Sequence, residues 1–229
     1  RRVVVPTYGC QRKGYWFEEG ETLASVVAPR SEGAADQAAR WDRAVKAGRR
    51  QAQHVPIDLD LPSYGQRWAC LDALTAEYII RTLRELGCFA AVGESCSLAE
   101  IAHEAALLPM YHTLLERWLE RLVAKDLLER RGERFRAKAP LRAPRIEPTL
   151  ASAYDAFADA PFIVDYLAGC GDQLTAIVVG KQSPLETLFP NGSRQTAVDL
   201  YRNWSLSRYF NDIAAAVVAA IAAHVPPDQ

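Results

Sequence analysis

The sequence predicts a mainly α-helical chain whose middle is a winged-helix-like subdomain with a small β-hairpin. Three observations predict it. Residues 68–86, WACLDALTAEYIIRTLREL, place Leu71, Leu74, Tyr78, Leu83 and Leu86 near helical spacing. Two shorter helical patterns follow, each with its own start signal. Leu127-Leu128, a turn at Arg131-Gly132 and Phe135 on the return then read as a hairpin. Helix, helix, helix and hairpin within about 70 residues is the winged-helix order.

Taken in chain order, residues 3–19 read as a short strand, a turn punctuated by Pro6 and Gly9, and an aromatic tail. Tyr8, Tyr15, Trp16 and Phe17 are too rich a cluster for a free linker and predict docking onto a neighbouring domain. Residues 20–66 have linker composition, with a helix expected over Ala34 to Lys46 and an extended run at Asp58-Leu59-Asp60-Leu61-Pro62. Within the 67–139 subdomain, Gly87 ends the first helix, and Ser97-Leu98-Ala99-Glu100 is a capping box that opens the second. Pro109 starts the third, which runs through Leu114, Leu115, Trp118, Leu119 and Leu122. Three prolines over 140–148 reset the chain, and residues 140–229 then read as helical to mixed. A Leu188-Phe189-Pro190-Asn191-Gly192 turn leads into a helix carrying Tyr201. Tyr209-Phe210-Asn211 opens an Ala/Val-rich helix that breaks at Pro226-Pro227.

Bulk properties narrow the function. Net charge is −1, without the basic excess that releases counterions from nucleic acid. The recognition-helix candidate, Tyr111 to Lys125, balances Glu116 and Glu120 against Arg117, Arg121 and Lys125, which disfavours docking against phosphates. No nucleic-acid partner is expected. No apolar run reaches the roughly 18 residues of a membrane span, so no membrane partner is expected either. The five cysteines are odd in number and lack C-x-x-C spacing, which fits small core residues in a reduced, cytoplasmic setting. The start at Arg1-Arg2-Val3-Val4-Val5 lacks an initiator methionine and reads as an excised segment, with processing as the other explanation.

Candidate chemistry is sparse. Gly169-Cys170-Gly171-Asp172-Gln173 hints at a glycine-rich cofactor loop, but Gln173 stands where a third glycine belongs. A helix ending at a glycine cap is the simpler reading. His54, His103, His112 and His224 have no metal-ligand spacing, so no metal is expected. No nucleophile elbow or Cys-His arrangement appears. Tyr201 and Asn211 have polar tips suited to holding an enolate oxygen or a water in a pocket. Tyr201 and Tyr209, eight apart, share a broad face if one helix runs through both. For Tyr209 and Phe210 a core aromatic stripe is favoured, with a substrate pocket as the other reading.

Both ends carry a resemblance. Pro6, Thr7, Tyr8, Gln11, Arg12, Tyr15 and Trp16 match a run that resembles the end of the post-acyltransferase linker in type I modular polyketide synthases, with Gly9 and Cys10 departing from the usual Pro-Phe. From about Trp68 onward the chain resembles the N-terminal helical lid of a methyltransferase domain embedded in such synthases. The matching marks are Gly180-Lys181, Ser183-Pro184-Leu185, Leu188 to Ser193, Leu200-Tyr201-Arg202 and Arg208-Tyr209-Phe210-Asn211.

The resemblance implies a fold and a role. Residues 1–19 would be the linker tail, 67–139 the winged-helix-like subdomain, and 140–229 a helical lid leading into a Rossmann-like core expected after Gln229 and absent from this chain. That core would bind S-adenosylmethionine and carry the catalytic pair. Tyr201 matches a lid tyrosine that lines the active site of carbon-methylating members and would position the substrate. Asn211, Tyr209 and Phe189 are the substrate-binding candidates, for a phosphopantetheine-tethered β-ketoacyl chain. The implied partners are the ketosynthase–acyltransferase of the same polypeptide, the methyltransferase core and an acyl carrier protein. Direct passage from linker to lid matches thiazoline-siderophore synthases of the yersiniabactin type, which are polyketide/nonribosomal peptide hybrids. O-methylating modules share this order, so C- and O-methylation both stay open. The lid alone would be non-catalytic. A free-standing winged-helix regulator or interaction module is the alternative.

Overall fold

The computed structural model describes residues 34–223. The aromatic tail with Tyr8, Tyr15, Trp16 and Phe17, and the Pro226-Pro227 break, lie outside the described residues.

Helix α1 (Ala34–Gln51) leads to a 3-10 turn at Leu61–Ser63 and then to α2 (Tyr64–Glu85). The run at Asp58–Pro62 is therefore not extended throughout. Pro62 has the φ that a first helical turn requires, so the chain enters α2 through that turn. Helix α2 has 22 residues, about 33 Å, and serves two cores along its length.

Its C-terminal half contributes Ile79, Ile80 and Leu83 to the first core. This core also takes Ile101 from α3 (Leu98–Glu104) and Leu115, Leu119 and Leu122 from α4 (His112–Ala124). A three-stranded antiparallel sheet closes it, with strands β1 (Ser95–Ser97), β2 (Leu128–Arg131) and β3 (Arg134–Ala137) in the order β1-β3-β2. Phe135 pairs with Cys96 on one side and Arg130 on the other, and its ring is buried. The hairpin and the capping box are where the sequence places them. The Ser97 side chain accepts from the Glu100 N–H, and the Glu100 carboxylate accepts from the Ser97 N–H. Strand β1 has too few residues to show a period. Cys88 is buried and its thiol is pushed up to about 12, first by burial. None of the described cysteines is in a disulfide.

The second core gathers Leu71, Leu74 and Tyr78 of α2 with Ala153 of α5 (Ile146–Ala156), Phe157, and Ile163 and Val164 of α6 (Pro161–Val178). Pro148 is tolerated in the first turn of α5, where its missing N–H has no helical partner to lose. The approach to α5 is fixed by an ion pair. Arg142 forks onto both carboxylate oxygens of the buried Glu77, at 2.5 and 2.7 Å, and the Arg145 N–H adds a third bond at 2.7 Å.

Gly169-Cys170-Gly171 is neither a loop nor a helix end: it lies inside α6, which continues to Val178. Gly171 is buried where α6 crosses α2, and a Cβ there would stand 2.4 Å from the Tyr78 ring. Glycine is required for that close approach, not for a turn.

Beyond α6 come α7 (Leu185–Leu188), a 3-10 turn at Pro190–Gly192, α8 (Gln195–Val198), a π turn at Asp199–Asn203 and α9 (Ser205–Ala222). Helix α9 packs along α1 through Ile213 and Val217. A Cβ on Gly48 of α1 would stand 2.8 Å from Val217, so the glycine lets the two helices meet. Among the described residues no helix is long and apolar enough to cross a membrane.

Candidate functional site

Residues 183–204 are built from short pieces, the first two of them opened by prolines. Pro184 and Pro190 each open a new turn. The Asp199 carboxylate holds the last of these pieces, accepting from the Gln195 amide at 2.9 Å and the Asn203 amide at 2.6 Å. The Trp204 N–H closes the π turn onto the Asp199 carbonyl at 2.9 Å. Trp204 itself is extended, so helix does not run from Tyr201 through Tyr209. Its indole stacks on Trp68 with centroids 6.1 Å apart and planes at 2°, and on Tyr64 at 6.3 Å. That aromatic stack fixes the start of α9 to α2.

Between this segment and α6 lies a cleft of about 380 Å³. Phe162, Tyr166, Gly169 and Gln173 line it from α6, at offsets of 4, 7 and 11 residues that mark one helix face. Thr187 and Asp199 line the opposite side. The Tyr166 phenol is pushed up to about 12, by burial first and then by the neighbouring Cys170 thiol and Tyr201, against a Thr187 hydrogen bond that lowers it. It is therefore a neutral phenol near pH 7. Asp165 accepts from the Tyr154 hydroxyl at 2.5 Å, which raises the Tyr154 pKa. The charged residues lining the cleft, Asp165, Glu186 and Asp199, are all acidic. Such a cleft suits a neutral chain bearing hydrogen-bond donors and repels a phosphate.

The sequence-derived candidates separate into two groups. Tyr201 sits on the π turn, 61% exposed, close enough to Tyr166 to perturb its titration. Phe189 follows α7 between the cleft-lining Thr187 and Pro190. The Asn211 side-chain amide donates to the Tyr201 backbone carbonyl at 2.8 Å. Tyr209 lies apart from these: its hydroxyl donates to the Ala52 carbonyl at 2.8 Å, at the end of the α1–α9 seam. Phe210, read as a core stripe with Tyr209, is instead 58% exposed, because the seam takes the other side of α9. Tyr166, Asp165 and Asp199 were not singled out from the sequence. The periodic face of α6 is the signal that points to Tyr166.

Phe210 continues into a second apolar stripe on α9. Ala214, Val218 and Ile221 follow at helical spacing, all exposed, with Val218 at 63%. The exposed Trp41 of α1 lies beside Ile221. Helix α9 thus has one apolar side packed on α1 and another facing outward.

No family model and no curated protein matches the chain. Solved structures do. The CurJ carbon methyltransferase matches at a TM-score of 0.70 and 21% identity, over 83% of this chain and 50% of that one. The fold is methyltransferase-like. The DszA carbon methyltransferase matches at 0.63 and 18% identity, over 86% of this chain and 50% of the other. The CMeT domain of the citrinin polyketide synthase matches at 0.53 and 14%, over 87% and 51%. The chain spans about half the length of these structures.

Proposed function

We propose that this chain is the substrate-side helical lid of an S-adenosylmethionine-dependent carbon methyltransferase in a modular polyketide synthase. Its substrate in this reading is a β-ketoacyl chain tethered through phosphopantetheine to an acyl carrier protein. The observation that carries the reading is the outward apolar stripe of α9, Phe210, Val218 and Ile221, next to Trp41. Exposed stripes of this kind mark surfaces that a partner covers. The fold is shared with about half of each carbon methyltransferase structure, and in this reading the partner is a cofactor-binding core corresponding to the remaining half. The described residues themselves do not fit S-adenosylmethionine. The glycine-rich run that would cradle it is buried helix interior, with Gly171 against Tyr78.

In this reading, the core closes over the Tyr201 face and excludes water from the tethered chain. Tyr201 positions the substrate oxygen, and Asp165, Tyr166 and Gln173 face the neutral, amide-bearing pantetheine part of the arm, with its phosphate outside the cleft. The winged-helix-like subdomain is a packing module. Arg121 of α4 is committed to Asp72, and Glu120 to Arg130, which favours this over nucleic-acid contact. Upstream, Tyr8, Tyr15, Trp16 and Phe17 dock on the ketosynthase–acyltransferase of the same cytoplasmic polypeptide.

The test is methylation of a carrier-bound β-ketoacyl substrate by the polypeptide extended through its methyltransferase core. Phe210→Glu with Val218→Glu should abolish turnover there, yet leave the melting of this 229-residue chain unchanged. Full turnover in the double variant would remove the lid reading.

A further inference from the structure

The Tyr201 carbonyl stands near the end of a helical stretch. The π turn stops at Asn203, and Trp204 turns away with φ −69° and ψ 123°. Carbonyls in the last turn of a helix have no partner within it and need one from elsewhere. For Tyr201 that partner comes from the next helix: the Asn211 amide reaches back across ten residues and donates at 2.8 Å. Elsewhere the turn is held by the Asp199 bonds to Gln195, Asn203 and the Trp204 N–H, and by packing of Leu200 and Trp204 on the second core. The bond from Asn211 ties the Tyr201 peptide itself to α9. The phenol is left unbound by it and 61% exposed.

We infer that Asn211 is the positioning residue for Tyr201, holding the backbone from which the phenol projects, and is not a substrate ligand. This deepens the proposed function and rests on its assignment of Tyr201 to the substrate. Asn211 offers a neutral amide donor. Alanine removes it, and aspartate replaces it with an acceptor facing a carbonyl. With the anchor gone the Tyr201 peptide loses its tie to α9, and the phenol samples directions that do not meet the substrate.

Two experiments test this. Tyr201-Arg202 is the only Tyr-Arg dipeptide in the sequence. Labelling this chain with ¹³C-carbonyl tyrosine and ¹⁵N-arginine therefore reads the Tyr201 carbonyl alone by NMR. Asn211→Ala and Asn211→Asp should each shift that carbonyl resonance upfield, as expected for a lost hydrogen bond. An unmoved resonance overturns the inference. In the extended polypeptide, Asn211→Ala should lower kcat about tenfold, the loss of one hydrogen bond's worth of alignment, with KM little changed. Tyr201→Phe combined with Asn211→Ala should be no slower than Tyr201→Phe alone, because one acts through the other. Losses that multiply would mean that Asn211 meets the substrate directly, and would also overturn the inference. If Tyr201→Phe is itself harmless, the assignment of Tyr201 fails, and the carbonyl shift still decides whether Asn211 anchors its backbone.

Discussion

Gly171 of α6 lies against the ring of Tyr78 on α2, so closely that no side chain fits between them. Two helices that carry both cores are brought together at this point, and the Arg81 side chain fastens it by donating to the Gly171 carbonyl at 2.6 Å. Gly171→Ala should destabilise the chain by about 1–3 kcal/mol, the usual cost of overpacking. Two residues earlier, Gly169 has nothing within 4 Å of its would-be Cβ. Gly169→Ala should stabilise by up to about 1 kcal/mol through helix propensity. Thermal or urea melts of the two variants should move in opposite directions. Movement in the same direction would contradict the packing described.

Glu77 and Arg142 provide a second check. The Arg142 hydrogen bonds, followed by the Arg145 N–H, hold the Glu77 carboxyl below the usual carboxylate range against the opposing effect of burial. A carboxyl lowered by folding stabilises the chain above its unfolded pKa, and that stability is lost as pH falls through the folded pKa. Glu77→Gln should cost about 2 kcal/mol at pH 7. The gap between the two proteins should narrow below about pH 4, where the unfolded carboxyl begins to bind its proton. Urea melts from pH 7 down to pH 3 read this directly, and a gap that widens in acid would be the contrary result.

Trp204 links α9 to α2 through Trp68 and Tyr64. Trp204→Ala removes both ring pairs, about 2 kcal/mol together. The effect should be local. Amide exchange should quicken in α8 and α9 while α2, α3 and α4 keep their protection. Uniform loss of protection would show that α9 belongs to the same cooperative unit as the cores.

How much of this was legible in the sequence follows from what each element depends on. Helix α2 announces itself by its own leucine period. The cap at Ser97 and Glu100 needs four residues, and the hairpin needs Gly132 and an apolar Phe135. All of these are local. The Gly169-Cys170-Gly171 run was misread because its meaning lies in Tyr78, some 90 residues away, which no local pattern reveals. Strand β1 owes its existence to pairing with β3. Residues 183–204 are turns set by prolines and by the Asp199 carboxylate, with no period to detect. The polar tip of Asn211 is visible in the sequence, whereas the Tyr201 carbonyl to which it donates is not. The outward stripe of α9 was visible as Ala/Val-rich helix, but only its packing on α1 shows which side is left over.

The measurement that tests the central proposal most directly is S-adenosylmethionine binding by calorimetry, to this chain and to the polypeptide extended through the methyltransferase core. The account predicts saturable heat with the extended polypeptide and none with this chain, whose glycine-rich run is closed inside α6. Binding by this chain alone would contradict it.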